Sequence, residues 1–312
     1  MVKNRIHIVI FLGLFAAGTA LLFLGGPDYY SARSLKYSWD IGHIAYFALL
    51  TIMLTRWCVI ANAPFPRQWI TVLIIITLIG STTELMQSFV SRTPSIGDVL
   101  RNAIGALLVL AFCSTSAVLR PVALRRSMQA AVALILSVQL WPLTKSLVDE
   151  ANATHNFPIL SDFETPFEQE RWTGKPLQAV ETILSFHQYK MMKITFNTDH
   201  FSGVGLKYFE GDWSTYKSLK IDLYNPELDP LNVTCRINDL IHFDGYEEYE
   251  DRFNRNYHVV HGWNHIEIDL EDVKTSPAKR YMDMSNIKGI GLYVVSQPTD
   301  RTLYLNKVEL SR

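Results

Sequence analysis

Seven polar side chains interrupt the otherwise apolar first half of the sequence, and their types are suited to chemistry. They are Asp40, His43, Glu84, Gln87, Arg92, Asp98 and Asn102. A charged side chain at the centre of a membrane costs about 3 kcal/mol or more, so ionisable residues in apolar segments mark functional sites by default. We therefore interpret the seven residues as parts of one polar site with catalytic potential.

Each residue type in this set has a chemical role. Glu84 lies inside an apolar segment, where a carboxylate suits a proton carrier or a general base. Arg92 keeps its charge and holds a phosphate or a carboxylate through two parallel hydrogen bonds. Asp98 and Asp40 either orient Arg92 and His43 or bind a divalent cation together with Glu84.

A structural role is the alternative interpretation of the same residues. Buried Asp–Arg and Glu–Gln pairs tie helices together, and Gly105 then allows two helices to approach closely. The sequence leaves this choice open.

The spacing of the polar residues predicts that separate helices bring them to one side of a membrane. Within each segment they are three or four positions apart, which places them on one helical face. Five apolar segments are long enough to cross about 30 Å of hydrocarbon. They lie near Ile6–Leu24, Ile41–Ala61, Trp69–Val90, Val99–Leu119 and Met128–Val148. The distribution of Lys and Arg predicts a cytoplasmic N-terminus and an extracytoplasmic C-terminal half, with the polar site in the outer leaflet. The first apolar run is long for a signal peptide and no cleavage site is obvious, so we favour an uncleaved first helix over the alternative of a cleaved signal peptide.

The two halves of the chain differ in charge. Residues 1–150 carry six acidic and twelve basic side chains, whereas residues 151–312 carry 24 and 17. An apolar, basic half followed by a polar, acidic half is typical of a membrane domain joined to a soluble one. The acidic half has no basic stripe for phosphates, so we expect no nucleic-acid partner. The three cysteines are too scattered to predict a disulfide framework or a CxxC metal site.

Alternating apolar and polar residues in the second half predict antiparallel strands. The clearest runs cover Leu219–Tyr224, Leu231–Asn238, His265–Leu270, Leu177–Leu184, Met191–Asn197, Ile287–Val295 and Thr302–Leu310. About eight to ten strands without a strong helix indicate a β-sandwich or jelly roll. We therefore predict a transmembrane domain of about five helices over residues 1–150, a linker over 151–157 and an all-β jelly-roll sandwich over 158–312.

The stretch from Trp39 to about Phe112 resembles the VanZ-like membrane domain. The resemblance rests on WDIGHIAYFAL, on TELMQSFVSRTPSIGDVLRNAIGALL and on Arg56 after the second apolar segment. The family is named after a protein linked to glycopeptide resistance, and its biochemical activity is poorly defined. The resemblance implies a bacterial cytoplasmic membrane, a cell-envelope setting, and contact with membrane lipid and with cell-wall glycan or a lipid-linked precursor.

Residues from about 158 to 312 resemble the galactose-binding-like jelly roll of many carbohydrate-binding modules. The resemblance rests on LSDFET, WSTYKSLKIDLYNP, GWNHIEIDL and IKGIGLYVVSQPTDRTLYLNKVEL. In that fold, sugars stack on exposed aromatic rings and bond to nearby polar groups. The residues that this implies as glycan contacts are Trp172, Trp213, Arg236, Asp239, Tyr246, Arg252 and Trp263. Core packing is the alternative role for the aromatic residues.

Modules of this type often bind a structural calcium ion. Asp162 and Glu164 near the start of the domain could supply oxygen ligands together with Glu309. The sequence makes no cofactor certain, and a structural calcium ion is the candidate for this domain.

Three functions fit the sequence. The first is a cell-envelope protein that binds glycan outside and presents a polar site at the outer leaflet. The second is a membrane enzyme that acts on a lipid-linked headgroup, with Glu84 as base and Arg92 holding phosphate. The third is a small proton-coupled transporter, although five helices with one acidic centre are few for alternating access.

Overall fold

A computed structural model of the chain describes residues 2–23, 26–57, 63–90, 94–113, 121–174, 177–184 and 187–312. Its contacts divide the chain into two compact units, Met1–Thr144 and Lys145–Arg312. The predicted combination of a helical N-terminal part and a C-terminal β-sandwich is confirmed.

Five α-helices form the N-terminal part of the described chain. They are α1 (Val2–Phe23), α2 (Arg33–Trp57), α3 (Phe65–Gln87), α4 (Ile96–Phe112) and α5 (Val122–Asn156). Three of them are long and apolar enough to cross a membrane, over Arg33–Arg56, Phe65–Gln87 and Val122–Asn156. This judgement uses length and composition, so membrane insertion itself stays a prediction.

The helices extend beyond the apolar segments of the sequence. α2 begins at Arg33, eight positions before the predicted start at Ile41. Hydropathy marks only the apolar part of a helix, whereas the backbone continues through any residues that tolerate helical geometry. Asp40 and His43 therefore lie about two turns inside α2 rather than at its start.

The predicted linker over residues 151–157 lies mostly in helix, because α5 continues to Asn156. The boundary between the two units falls within this helix, at Thr144 and Lys145. In the second unit, Arg171 forms a buried ion pair with Asp149 of α5, with 2.8 Å between Nη2 and Oδ1. The sandwich unit therefore begins earlier in the chain than its first strand.

The second unit is a β-sandwich of two antiparallel sheets. Its strands are β1 (Ile159–Ser161), β2 (Trp172–Thr173), β3 (Leu177–Leu184), β4 (His187–Phe196), β5 (Phe201–Leu206), β6 (Ser218–Asn225), β7 (Leu231–Asp239), β8 (Phe253–Val259), β9 (Gly262–Asp269), β10 (Ile287–Val295) and β11 (Arg301–Ser311). The first sheet has the order β3-β4-β11-β6-β9, with β1 paired to β11, and the second has the order β2-β5-β10-β7-β8. Short helices α6 (Leu240–Asp244) and α7 (Leu270–Thr275) follow β7 and β9.

The core of the sandwich lies between the two sheets. Alternate residues of β6, β7 and β10 point into it, and Trp213 and Phe196 are completely buried there. Period-two alternation sends every other side chain to the opposite face of a sheet. The same pattern that builds the core therefore places a second set of side chains on the outer face of each sheet.

Candidate functional site

The helical unit brings most of the predicted polar residues together. His43 of α2 is hydrogen-bonded to Asn102 of α4, with 3.2 Å between Nδ1 and Oδ1. Both residues are buried, at 3% and 0% exposure. We use the name polar cluster for Asp40, His43, Glu84, Asp98, Arg101 and Asn102.

Glu84 of α3 is held by the backbone at the start of α4. Its Oε2 accepts a hydrogen bond of 2.8 Å from the backbone N–H of Ser95. Its Oε1 is buried and has no hydrogen-bond partner among the described residues. A buried carboxylate oxygen without a partner is costly, so its presence calls for an explanation such as an ion or a ligand.

Arg101 belongs to the polar cluster although we did not predict it as a site residue. Its guanidinium lies 3.1 Å from Asp40 of α2, and it also donates to Oδ1 of Asp98. The signal was present in the sequence, since Arg101 follows Asp98 by three positions on one helix. The structure places Arg101 in α4.

Two glycines make the cluster compact. A Cβ added at Gly105 would lie 2.4 Å from the backbone oxygen of Ile44, so α2 and α4 touch there through their backbones. A Cβ added at Gly80 of α3 would lie 2.6 Å from Nδ2 of Asn102. Small residues at helix crossings allow this approach, as predicted for Gly105.

Of the other two predicted residues, Gln87 has a contact elsewhere and Arg92 is not described. Gln87 donates a hydrogen bond of 2.7 Å to the backbone oxygen of Leu22, so it ties α3 to α1. Arg92 lies outside the described residues, so its predicted role stays a prediction.

An apolar groove of about 280 Å³ opens beside the cluster. Its walls come from α1 and α2, and His43 is one of its few polar lining residues. Tyr46 also lines it and stacks on Phe15, with ring centroids 5.1 Å apart. The groove joins an apolar surface to the buried imidazole.

The outer face of the second sheet forms a separate site in the sandwich. Four glycines of β5 and β10 make its floor, namely Gly203, Gly205, Gly289 and Gly291. Facing them across the register are polar side chains of β7 and β8, with Arg236 opposite Gly291 and Asn238 opposite Gly289. We call this surface the glycine-floored face. These two pairings place polar side chains of β7 next to glycines of β10.

Tyr293 is the aromatic residue of this face. It pairs with Gly203 on one side and with Thr234 on the other, and its hydroxyl lies 3.4 Å from Oδ1 of Asn254. Phe201 packs near it, with ring centroids 6.2 Å apart. We did not predict Tyr293. Its two neighbours in β10 are apolar and point into the core, so the period-two alternation of the strand could have placed Tyr293 on the outer face.

Several polar groups on the glycine-floored face have no partner among the described residues. These atoms are buried and comprise Nε of Arg236, Nε of Arg252 and both amide atoms of Asn238. The side chain of Asn238 lies over Gly289, and the guanidinium of Arg236 lies over Gly291. Buried polar groups are normally paired, so these atoms mark a place where a ligand would satisfy them.

Three cations are close enough on this face to influence one another. Burial and the nearby Arg236 charge both lower the pKa of Lys207. The same two causes lower the pKa of Arg252, which stacks on the Tyr249 ring at 5.3 Å. Glu247 acts in the opposite direction on Arg252. The face therefore carries concentrated positive charge within an acidic domain.

Of the seven predicted glycan contacts, Arg236 lies on the glycine-floored face. Arg252 lies at the edge of that face, in the position immediately before β8. Trp172 and Trp213 are buried at 5% and 0% exposure, so their rings pack in the core and present no stacking surface. Trp263 belongs to β9 of the first sheet, where it packs on Tyr224.

The remaining two predicted contacts lie in or beside the loop that follows β7. Asp239 is fully buried and accepts hydrogen bonds from Arg280. Burial alone would raise its pKa, but the bonds from Arg280 and from backbone N–H groups outweigh it and lower the pKa. Tyr246 is 96% exposed and lines a groove of about 400 Å³. Asp239 is therefore a structural residue, whereas Tyr246 remains accessible.

The predicted calcium ligands each have another contact in the structure, and the calcium site itself stays a prediction. Glu164 pairs with Lys190 at 3.1 Å, and Glu309 pairs with Lys307 at 2.6 Å. Asp162 accepts a hydrogen bond of 3.2 Å from the backbone N–H of Glu164. The ligand atoms of these three residues are not grouped as a metal site would require. Among the described residues, the group whose ligand atoms lie within 4.8 Å of one another is His43, Glu84 and Asp98.

No family model matches the sequence, and no curated protein matches it. The VanZ-like resemblance of residues 39–112 therefore stays a prediction.

Solved structures resemble the β-sandwich in fold. A family 11 carbohydrate-binding module from Clostridium thermocellum, in complex with a beta-1,3-1,4-mixed-linked tetrasaccharide, has 15% identity and a TM-score of 0.37 over 49% of this chain and 94% of its own. An exo-beta-agarase has 16% identity and a TM-score of 0.39 over 49% of this chain and 25% of its own. A non-crystalline cellulose-specific carbohydrate-binding module, CBM28, has 12% identity and a TM-score of 0.33 over 50% of this chain and 93% of its own.

Proposed function

We propose that this chain is a multi-pass, VanZ-like protein of the bacterial cytoplasmic membrane whose jelly-roll domain binds an acidic glycan of the cell envelope. In this proposal the N-terminus is cytoplasmic and the sandwich is extracytoplasmic. The observation that carries the proposal is the set of buried, unpartnered polar atoms on the glycine-floored face, at Arg236, Arg252 and Asn238.

The floor of the face suits a flat ligand. Gly289 and Gly291 add no side chain to the face, and the side chains of Asn238 and Arg236 lie across them. A sugar ring placed there would lie against the sheet with its hydroxyl groups beside the Asn238 amide. Tyr293 would offer an aromatic ring at the edge, the group on which sugars commonly pack. These features support a carbohydrate as the ligand.

The charges of the face support an acidic group on that carbohydrate. Arg236 repels both Lys207 and Arg252, and burial weakens the hydration of those two cations. A carboxylate, sulfate or phosphate would relieve this repulsion and accept bonds from Nε of both arginines. A neutral glycan would leave the repulsion in place, so acidic glycans should bind more tightly than neutral ones.

Binding of polysaccharides to the fragment Lys145–Arg312 tests the proposal. We expect the fragment to bind an acidic polysaccharide, such as a polyuronate, and to bind a neutral glucan more weakly. Arg236→Gln should weaken binding of the acidic polymer about tenfold to hundredfold, because a hydrogen bond to a charged group contributes about 1.5–3 kcal/mol. Tyr293→Ala should weaken binding of both polymers.

Lys220→Gln is the matched control for the loss of a cation. Lys220 lies on β6 of the first sheet, and its side chain is 42% exposed. Its loss should leave binding unchanged. If the folded fragment binds no acidic polysaccharide, or if Arg236→Gln and Lys220→Gln weaken binding equally, the proposal is wrong.

A second function is supported by the helical unit, namely action on a lipid-linked headgroup. The apolar groove beside His43 would hold a lipid chain, and Arg101, whose side chain is 24% exposed, would reach a phosphate. Native mass spectrometry of the full chain with a polyprenyl phosphate tests this. Arg101→Gln should lose the lipid, whereas Arg67→Gln, an exposed cation of α3, should keep it. Equal retention in both variants would reject the idea.

A further inference from the structure

We propose that His43, Glu84 and Asp98 bind a divalent transition-metal ion, Zn²⁺ or Mn²⁺, inside the helical unit. One ligand atom from each residue lies within 4.8 Å of the other two. An ion about 2.1 Å from two ligand atoms holds them at most about 4.2 Å apart, so side-chain torsions need only small adjustments. The proposal is independent of the glycan site.

Glu84 provides the second observation that points to a ligand. The residue is 4% exposed, and its Oε1 has no hydrogen-bond partner among the described residues. Its Oε2 is already used by the backbone N–H of Ser95. A metal ion would satisfy the remaining oxygen. A buried carboxylate with one bonded and one open oxygen is the usual state of a metal ligand whose outer partner is in place.

Each of the three ligands has such an outer partner. Asn102 bonds to the imidazole of His43, the Ser95 backbone bonds to Glu84, and Arg101 donates to Asp98. Groups of this kind fix the direction of metal ligands, and their loss typically weakens metal binding. The arrangement in the helical unit is therefore more specific than a cluster of acidic residues.

The charge of the polar cluster also favours a divalent cation. The polar cluster contains three carboxylates, those of Asp40, Glu84 and Asp98, and one guanidinium, that of Arg101, which pairs with Asp40 and Asp98. With His43 neutral, the six residues carry a net charge of −2, which is costly away from water. One divalent cation would neutralise the set.

The ligand types indicate which metal would bind. One imidazole with two carboxylates suits Zn²⁺ or Mn²⁺, whereas Ca²⁺ takes six to eight oxygen ligands. Three protein ligands leave a coordination position open, the arrangement of metal sites that bind water or a substrate. Arg101 and the His43 groove border this position.

The test is metal binding by the full chain purified in detergent. After dialysis against EDTA, Zn²⁺ or Mn²⁺ is added and the bound metal is measured by elemental analysis after gel filtration. We expect roughly one ion per chain, and an increase in thermal stability that depends on the metal concentration. Glu84→Gln and His43→Ala should each weaken binding by at least about tenfold to hundredfold.

Asp40→Asn is the matched control, because Asp40 is a carboxylate that pairs with Arg101 but is not one of the three ligands. It should retain the ion. Folding is checked in EDTA, where Glu84→Gln should unfold at the same temperature as the wild type or higher, since the unpartnered charge is gone. Equal binding by the wild type and Glu84→Gln would overturn the proposal. Binding of Ca²⁺ or Mg²⁺ as strong as that of Zn²⁺ and Mn²⁺ would overturn the choice of metal.

Discussion

The buried ion pair between Asp149 and Arg171 predicts that the sandwich needs the C-terminal part of α5 for full stability. Arg171 donates to both carboxylate oxygens of Asp149, at 2.8 Å from Nε and 2.8 Å from Nη2. It also donates to the backbone oxygen of Leu160 at 3.1 Å. The side chains are only 4% and 1% exposed, so water screens the pair little. We take Asp149→Ala in the fragment Lys145–Arg312 as the perturbation.

The expected loss is about 3–5 kcal/mol in the free energy of unfolding, because the variant leaves the Arg171 charge buried without its partner. A domain of this size is typically stable by about 5–15 kcal/mol, so the loss is a large share of the total. A fragment that begins at Pro158 lacks Asp149 altogether and should lose a similar amount. Glycan binding should therefore be measured on the longer fragment.

Urea denaturation followed by tryptophan fluorescence measures the effect. Glu170→Ala is the matched control, because Glu170 pairs with Lys145 of the same helix but its side chain is 39% exposed. That variant should lose less than about 1 kcal/mol. Replacing both buried partners, Asp149→Ala with Arg171→Met, should recover part of the loss. If Asp149→Ala loses no more than Glu170→Ala, the buried pair does not stabilise the unit and the reasoning is refuted.

Three further outcomes follow from the described contacts. Gly105→Ala in the full chain should lower the thermal unfolding temperature in detergent, with a loss of about 1–3 kcal/mol, because its Cβ would meet the Ile44 backbone oxygen at 2.4 Å; an unchanged temperature would contradict the close crossing. The bonds from Arg280 lower the pKa of Asp239 below the ordinary 3.8, so the fragment should be fully stabilised above that pH and lose stability as the pH falls through the depressed pKa. In urea denaturation at a series of acid pH values, Asp239→Asn should lose less stability than the wild type as the pH falls. An equal loss in both proteins would show that other groups cause the acid sensitivity. Burial raises the pKa of Cys235 to about 12, so a maleimide at pH 8 should label this thiol only after denaturation.

The polar cluster shows how far sequence reasoning reaches. His43, Glu84, Asp98 and Asn102 could be selected because their polarity contrasts with the apolar segments around them. Arg101 was missed although it lies in the predicted apolar segment Val99–Leu119, three positions after Asp98. One turn of helix decides whether a side chain faces a partner or solvent, and hydropathy does not resolve that turn.

The glycan contacts show the opposite limit. Aromatic residues were chosen by type, yet Trp172 and Trp213 are buried because large apolar rings gain most free energy in the core. The residues that form the glycine-floored face, such as Tyr293 and Gly291, are ordinary in the sequence. Their significance comes from lying next to one another across strands that are far apart in the chain.

The sequence by itself determined a helical half, a sandwich of antiparallel strands and the polar residues that do not belong among apolar ones. These features depend on local patterns, namely hydropathy and the periods of helix and strand, which the chain carries whatever its fold. The tertiary structure decided which residues share a site. It set Arg236 over Gly291 and brought His43, Glu84 and Asp98 within 4.8 Å, because register and helix crossing are settled by packing between distant segments.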